Sequence, residues 1–296
     1  MVENETPEAV EILDTCFARS GRAFRIGITG PPGAGKSTLV ARIAQEYRRR
    51  GETVAIVAVD PTSPFSGGAL LGDRVRMAEL AEDPGVFIRS MATRGSMGGL
   101  AVNTAQACDV LDAAGYSRIL IETVGVGQSE LEVAETSDST AVVLVPESGD
   151  TVQAMKAGLM EIGDLFVINK ADRDGAERAA FAVQAALELR TAQRDWATPV
   201  LMTVALEGTG VSELVDRFEE HLDHLKSRGA LDQRRRRRLE QRLEDLMRAR
   251  LWHRFRARVP AAQWTESVAA MADRRLTPHQ AADRLTAGAL ESGAAT

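Results

Sequence analysis

Short apolar runs alternate along the chain with longer stretches in which apolar and polar residues are mixed. Most of the runs are rich in Val, Ile and Leu, as expected for strands buried on both faces of a sheet. The intervening stretches are long enough for crossover helices, so the pattern predicts an α/β fold with a mostly parallel sheet and helices on both faces. The predicted strands are Arg25–Thr29, Thr53–Val59, Val86–Ser90, Arg118–Glu122, Ala141–Val145, Leu165–Asn169 and Pro199–Thr203.

The pattern of strands and helices changes near Gly229. Residues 233–258 are charged and helical in character, and further helices are expected over Ala261–Leu276 and after Pro278. Three parts are therefore predicted: a short N-terminal helical segment at 1–22, an α/β domain at 23–228 and a helical C-terminal part at 229–296. The charged helix carries an apolar stripe at i, i+3 and i+4 spacing, formed by Leu239, Leu243, Leu246, Met247, Leu251 and Phe255.

Composition and charge are those of an ordinary globular protein, with 44% hydrophobic and 26% charged residues. The formal net charge of −6 provides no general basic field for nucleic acid or anionic lipid, so neither is an expected partner. Cys16 and Cys108 form neither a disulfide framework nor a zinc spacing. The N-terminus lacks the features of a signal peptide, and no run approaches the roughly 18 apolar residues of a membrane span, so a cytoplasmic location is expected.

A phosphate-binding motif follows the first predicted strand. The sequence GPPGAGKS fits the pattern GxxxxGK[ST] and precedes a helix-forming run. Glycines let backbone N–H groups point at a phosphate, and the helix adds its positive end. Lys36 is expected to reach the β- and γ-phosphates and to act in catalysis, and the Ser37 hydroxyl to bind Mg²⁺. The predicted binding residues are Gly30, Gly33, Ala34, Gly35, Lys36, Ser37 and Thr38.

A second motif, Asn169-Lys170-Ala171-Asp172, fits the NKxD element with which P-loop GTPases read guanine. The Asp172 carboxylate can accept hydrogen bonds from guanine N1–H and from the 2-amino group. Adenine lacks this donor pair, so ATP would leave the carboxylate unpaired. The stem of Lys170 can lie along the base. A backbone N–H near the end of the next strand, within Thr203, Val204 and Ala205, is expected to meet guanine O6.

Acidic residues near the phosphate side are the predicted ligands of Mg²⁺, which prefers oxygen and takes few ligands from protein. They are Asp60, Asp73 and Glu122. Glu122 stands where a Walker B acid is expected and is also a candidate catalytic residue. The loop 61–74 and the glycine-rich run after Glu122 are interpreted as switches that respond to the γ-phosphate. Lys156 is a candidate for stabilising transition-state charge, although a solvated helix start is the alternative interpretation.

These motifs and the sequence around them resemble the MeaB/ArgK GTPases, chaperones associated with methylmalonyl-CoA mutase. The resemblance implies a P-loop GTPase of the SIMIBI class that binds GTP, GDP and Mg²⁺, gates cofactor loading and protects a coenzyme-B12-dependent acyl-CoA mutase. It also implies a homodimer joined through a C-terminal helical arm, with Arg234–Arg238 on the solvated face of that arm. The segments that carry it are GPPGAGKSTL, VAVDPTSPFSGGALLGDRVRM, ETVGVGQSE and GDTVQAMKAGLMEIGDLFVINKAD.

Two other functions stay open as alternatives. A nickel-insertion GTPase of the same fold group would handle metal through clusters of Cys and His. The chain has no Cys pair, and its four histidines are scattered at His221, His224, His253 and His279. A nucleotide-dependent kinase is the second alternative. The guanine-reading tetrapeptide and the absence of an obvious acceptor pocket in the sequence argue against it.

Overall fold

The computed structural model describes residues 7–60, 77–92, 99–123, 129–146, 158–189 and 195–291. Within these ranges, seven parallel strands form one sheet in the order β3-β2-β4-β1-β5-β6-β7. All seven predicted strands are present with small shifts at their ends, so the predicted α/β fold with a parallel sheet is confirmed. The strands are β1 Phe24–Thr29, β2 Val54–Asp60, β3 Val86–Ala92, β4 Arg118–Thr123, β5 Ser139–Leu144, β6 Leu165–Asn169 and β7 Val200–Thr203.

Helices cover both faces of this sheet, which explains why its strands are apolar on both sides. In β4, Leu120 packs into the core shared with α2 and α8, whereas Ile119 and Ile121 pack into the core shared with α4 and α5. The helices of the described ranges are α1 Pro7–Phe17, α2 Lys36–Arg49, α3 Ala78–Ala81, α4 Gly99–Ala113, α5 Ser129–Thr136, α6 Leu159–Ile162, α7 Ala176–Glu188, α8 Val211–Ser227, α9 Ala230–Arg258, α10 Ala261–Ala272 and α11 Pro278–Glu291.

The strand order brings the two nucleotide motifs to one edge of the sheet. β1 lies between β4 and β5, and its Ile28 is opposite Glu122 of β4. β6 pairs with β7 so that Asn169 is opposite Thr203. Because all these strands are parallel, their carboxyl ends meet at the same edge, where ligands of such sheets bind.

The chain divides into two compact units, Met1–Arg238 and Leu239–Thr296. Helix α9 begins in the first unit and continues into the second. Four side chains of the predicted apolar stripe lie on α9 with about half of their surface exposed, Leu239 at 47%, Leu243 at 62%, Met247 at 45% and Leu251 at 58%. The second unit has a small core of its own around Val259 and Leu285.

Three arginines at the start of α9 bind two aspartates that are buried at the amino edge of the sheet. Arg234 pairs with Asp164 at 2.9 Å and Arg235 with Asp138 at 3.0 Å, and Arg238 also donates to Asp138. Burial alone would raise the pKa of Asp138, but the charges of Arg238 and Arg235 outweigh it and lower the pKa to about 2. The expectation that Arg234–Arg238 forms a solvated face is therefore wrong for these three residues.

Candidate functional site

The loop Gly30–Ser37 joins the end of β1 to the first residues of α2, as the motif requires. Helix α2 begins at Lys36, and Gly35 before it has a left-handed φ of 84°. A side chain at Gly30, whose φ is 138°, would collide with the carbonyl of Val143 in β5. The loop therefore packs closely against the sheet. The first N–H groups of α2 have no partner within the helix, so they are available to a ligand at this edge of the sheet.

The ammonium of Lys36 lies inside this loop. Its Nζ donates to the carbonyl oxygen of Gly30 at 2.8 Å and to that of Pro31 at 3.0 Å, and the side chain is buried. Ala34 N–H donates to Pro31 O at 3.3 Å, which tightens the turn. The result is a positive charge held against two carbonyl groups of the loop, from which it can pair with a phosphate.

Oxygen groups from two strand ends meet beside the loop. The Ser37 hydroxyl donates to Glu122 Oε1 at 2.6 Å, and Glu122 is buried near the end of β4. The Thr29 and Thr123 hydroxyls, at the ends of β1 and β4, lie 3.3 Å apart. A hydroxyl and a carboxylate in contact at a phosphate-binding loop are the ligand types that Mg²⁺ takes from protein.

The other predicted metal and catalytic residues lie at the end of a described range or outside the described ranges. Asp60 is the last residue of β2, so its backbone is at the carboxyl edge of the sheet. Asp73, Lys156 and the whole predicted switch loop 61–74 lie outside the described residues, as do residues 124–128 of the second predicted switch.

Asn169 connects the phosphate-binding loop to the second motif. It is 2% exposed at the end of β6, and its Nδ2 donates to Ala34 O at 2.8 Å. Its Oδ1 accepts hydrogen bonds from the Thr203 hydroxyl and from Ala205 N–H, each at 3.1 Å. One side chain therefore fixes three chain segments at the sheet edge. Its amide nitrogen donates to one segment, and its amide oxygen accepts from the other two.

Lys170 and Asp172 extend from the same turn. Lys170 has a left-handed φ of 58°, unusual for a residue with a side chain, and its Nζ donates to Gly33 O at 2.7 Å. The turn continues with hydrogen bonds from Ala171 N–H to Thr203 O and from Arg173 N–H to Lys170 O. Asp172 is exposed, and its carboxylate accepts no hydrogen bond from the described part of the chain. It is thus open to a ligand.

The segment after β7 is a tight turn whose amides are largely engaged. Val204 N–H donates to Thr209 O, and Val204 O accepts from the N–H groups of Glu207 and Gly208. Ala205 N–H is used by Asn169, as described above. Thr38, the remaining predicted binding residue, is half-buried in the first turn of α2.

One contact at this segment was not predicted. Arg42 of α2 donates to the carbonyls of Ala205 and Leu206, at 3.1 and 2.6 Å. Nothing in the sequence separates Arg42 from the other arginines of α2, because its partners are 163 and 164 residues away. The contact could be found only from the fold.

The histidines form no metal site within the described residues. His221 is buried, its Nδ1 lies 2.8 Å from the Ser139 hydroxyl, and its ring packs against Trp196. His224 packs against the same indole. In the part of the chain that the structure describes, no group of three or more His, Cys, Asp or Glu side chains is arranged to hold a metal ion. Both histidines pack against Trp196, and His221 contacts the first residue of β5. These contacts give no support to the alternative of a nickel-insertion GTPase.

The family model of the methylmalonyl-CoA mutase-associated GTPase MeaB matches residues 1–260 of the chain. A Pyrococcus abyssi protein named as a GTPase is 46% identical over 288 residues, covering 96% of this chain and 89% of its own. The GTPase ArgK of Escherichia coli is 39% identical over 241 residues, covering 79% of this chain and 73% of its own.

A solved structure of similar fold, described as an LAO/AO transport system kinase, superposes with a TM-score of 0.72 at 29% identity. The match covers 94% of this chain and 85% of that one. Among the helices that the described ranges contain, none combines the length and the apolar character needed to cross a membrane.

Proposed function

The chain belongs to the MeaB family of GTPases, and from that premise we propose that it is a chaperone for a coenzyme-B12-dependent acyl-CoA mutase. GTP binding and hydrolysis gate the loading of the mutase cofactor and protect the mutase from inactivation. Methylmalonyl-CoA mutase is the first candidate partner because the family is described by its association with that enzyme. A cytoplasmic location, expected from the sequence, stays a prediction.

One observation supports the guanine nucleotide site more than any other. Asn169 and Lys170 donate to the carbonyls of Ala34 and Gly33, so the base-reading turn is tied to the phosphate-binding loop. A nucleotide with its phosphates in that loop would have its base beside residues 169–172. In this proposal Asp172 accepts from guanine N1–H and the 2-amino group, and the stem of Lys170 covers the base. The segment Thr203–Ala205 lies beside O6.

At the phosphate end, we assign Lys36 to the β- and γ-phosphates. Its Nζ would exchange the carbonyl oxygens of Gly30 and Pro31 for phosphate oxygens, which carry a full negative charge and bind an ammonium more strongly. The backbone N–H groups of Gly33 and of residues 35–38 would donate to the remaining oxygens. These contacts neutralise charge that would otherwise repel the attacking water.

The oxygen groups of Ser37 and Glu122 fit a magnesium ion, since both are hard ligands and they already lie in contact. Asp60 and Asp73 are the proposed further ligands, some of them through water. When bound, the ion supplies positive charge at the phosphates and orients them. Glu122 would then accept a hydrogen bond from a water in the place of the one from the Ser37 hydroxyl. Lys156 is proposed to add a cation where charge develops in the transition state.

We also propose that the protein is a homodimer joined through its C-terminal helices. The support is the half-exposed apolar stripe of α9, because clustered apolar side chains on one helix face favour a protein contact. Sedimentation of the variant with both Leu243→Glu and Leu251→Glu should give a monomer. Arg250→Glu, an exposed change on the same helix, is the matched control and should leave the dimer unchanged.

The mutase proposal is tested with the full-length chain and a purified B12-dependent methylmalonyl-CoA mutase. Binding is measured with GDP and with a non-hydrolysable GTP analogue, and GTP turnover is measured with and without the mutase. We expect nucleotide-dependent binding and faster turnover, and no nucleotide-dependent response in Lys36→Ala. Equal turnover with and without the mutase, together with no binding in either nucleotide state, would reject this partner while leaving the GTPase activity intact.

A further inference from the structure

Arg42, one turn beyond the phosphate-binding loop in α2, holds the chain segment that follows β7. Its Nε donates to Ala205 O at 3.1 Å and its Nη2 to Leu206 O at 2.6 Å. The third nitrogen, Nη1, donates to Gln45 Oε1 at 3.0 Å, which fixes the plane of the guanidinium. All three nitrogens are therefore engaged, and the helix that follows the phosphate-binding loop directly supports a segment at the base end of the site.

Holding two carbonyls also sets the directions of the neighbouring amides. In a trans peptide the C=O and N–H groups point in opposite directions, and the described residues contain no cis peptide. Because Ala205 O points at Arg42, the N–H of Leu206 points away from α2. Ala205 N–H donates to Asn169, whereas Leu206 N–H finds no acceptor within the described ranges. Arg42 thus determines where the amides of this segment point.

A lysine would not replace this contact. The guanidinium is a planar fork that can donate to two adjacent carbonyls at once, whereas an ammonium is a compact point charge on a flexible stem. The turn itself is closed by hydrogen bonds from Glu207 and Gly208 to Val204 O, which leave the Ala205–Leu206 peptide to be fixed from outside. Arg42 and Asn169 provide that support from two sides.

We propose that Arg42 is a positioning residue for guanine recognition. It acts through the Ala205–Leu206 segment, in which Leu206 N–H is the amide left to donate to the oxygen at purine position 6, and it does not touch the nucleotide. The inference rests on the proposed guanine site and adds to it a residue that sets base selectivity. Reading of the 2-amino group by Asp172 and binding of the phosphates at Lys36 do not depend on it.

The test compares GDP, IDP and ADP as competitors of a fluorescent GDP analogue. IDP keeps the oxygen at position 6 and lacks the 2-amino group, whereas ADP has an amino group at position 6. Arg42→Ala should weaken GDP and IDP by a similar factor, about tenfold, because two charge-assisted hydrogen bonds that order the segment are lost. ADP affinity should change by less than about twofold, so that the preference for GDP over ADP falls.

Two further variants control for folding and for charge. Arg42→Lys should show an intermediate loss with the same selectivity pattern, and it provides the readout if Arg42→Ala unfolds. Arg49→Ala removes an exposed arginine of the same helix, paired with Glu46, and should leave all three affinities unchanged. Thermal unfolding is recorded for each variant.

The outcomes separate this inference from the proposed function. If the unaltered protein bound GDP and ADP equally, the guanine site itself would be refuted. If the unaltered protein preferred GDP and Arg42→Ala kept that preference, the role of Arg42 alone would be refuted. An equal loss for GDP, IDP and ADP would also overturn it, because Arg42 would then support the whole loop and not the reading of the base.

Discussion

Replacing Asn169 by Ala should loosen both halves of the nucleotide site at once. The side chain makes three hydrogen bonds in a buried position, to Ala34 O, from the Thr203 hydroxyl and from Ala205 N–H. An alanine satisfies none of these groups and leaves them away from water. The phosphate-binding loop, β7 and the segment after it would then lose their common partner.

The cost can be worked from these contacts. Each hydrogen bond contributes about 1 kcal/mol net, so three of them give a loss of about 3 kcal/mol in the free energy of unfolding. Thr203→Val removes one of the three and keeps the shape of the side chain, and it should cost about 1 kcal/mol. The expected loss in the free energy of unfolding is therefore about three times larger for Asn169→Ala than for Thr203→Val, because three hydrogen bonds are lost and not one.

Urea unfolding followed by circular dichroism measures the loss, and hydrogen exchange reports the Ala205 amide directly. In Asn169→Ala that amide should exchange at least tenfold faster, and GDP binding should weaken at the same time. The reasoning fails if Asn169→Ala loses no more stability than Thr203→Val and if Ala205 N–H keeps its protection. Such a result would mean that the loops are held by other contacts.

Three other expectations concern charge. Lys36→Ala should abolish tight GTP binding without changing the circular dichroism of the folded chain, and an unchanged affinity would contradict the role of the loop. Asp172→Asn should shift preference from guanine to xanthine nucleotides in competition assays, because the amide donates where xanthine accepts; its exposed position predicts unchanged stability. Asp138, with its pKa lowered to about 2, stabilises the fold above its unfolded pKa of about 3.9. About 2 kcal/mol should be lost as the pH falls toward 2, and this pH-dependent loss should be absent in Asp138→Asn.

Much of the fold could be predicted because the sheet is buried on both faces. Short runs rich in Val and Ile favour buried strands, and the regular alternation of strands with helix-forming stretches favours a parallel sheet. The phosphate-binding loop was equally predictable, since Gly30 and Gly35 occupy backbone positions that a side chain would not tolerate. Local sequence alone carries both signals.

Contacts between distant segments were not predictable. Arg235 and Arg238 belong to a run of five arginines, and a run of charge on a helix normally faces water. What decides their place is Asp138, a buried carboxylate about 100 residues earlier that needs a positive partner. The same holds for Arg42 and the Ala205–Leu206 segment. Such pairs depend on topology, which no single stretch of sequence encodes.

The two ends of β6 connect these features. Asp164, one residue before β6, binds Arg234 of α9, and Asn169, its last residue, binds the phosphate-binding loop. Every residue of β6 is buried, and a close-packed strand of five residues fixed at both ends has little freedom to shift. The strand therefore provides a fixed reference for the base site and for the start of α9. We expect a change that follows GTP hydrolysis to arise instead at the ends of β2 and β4, where Asp60 and Glu122 are proposed as ligands of the magnesium ion.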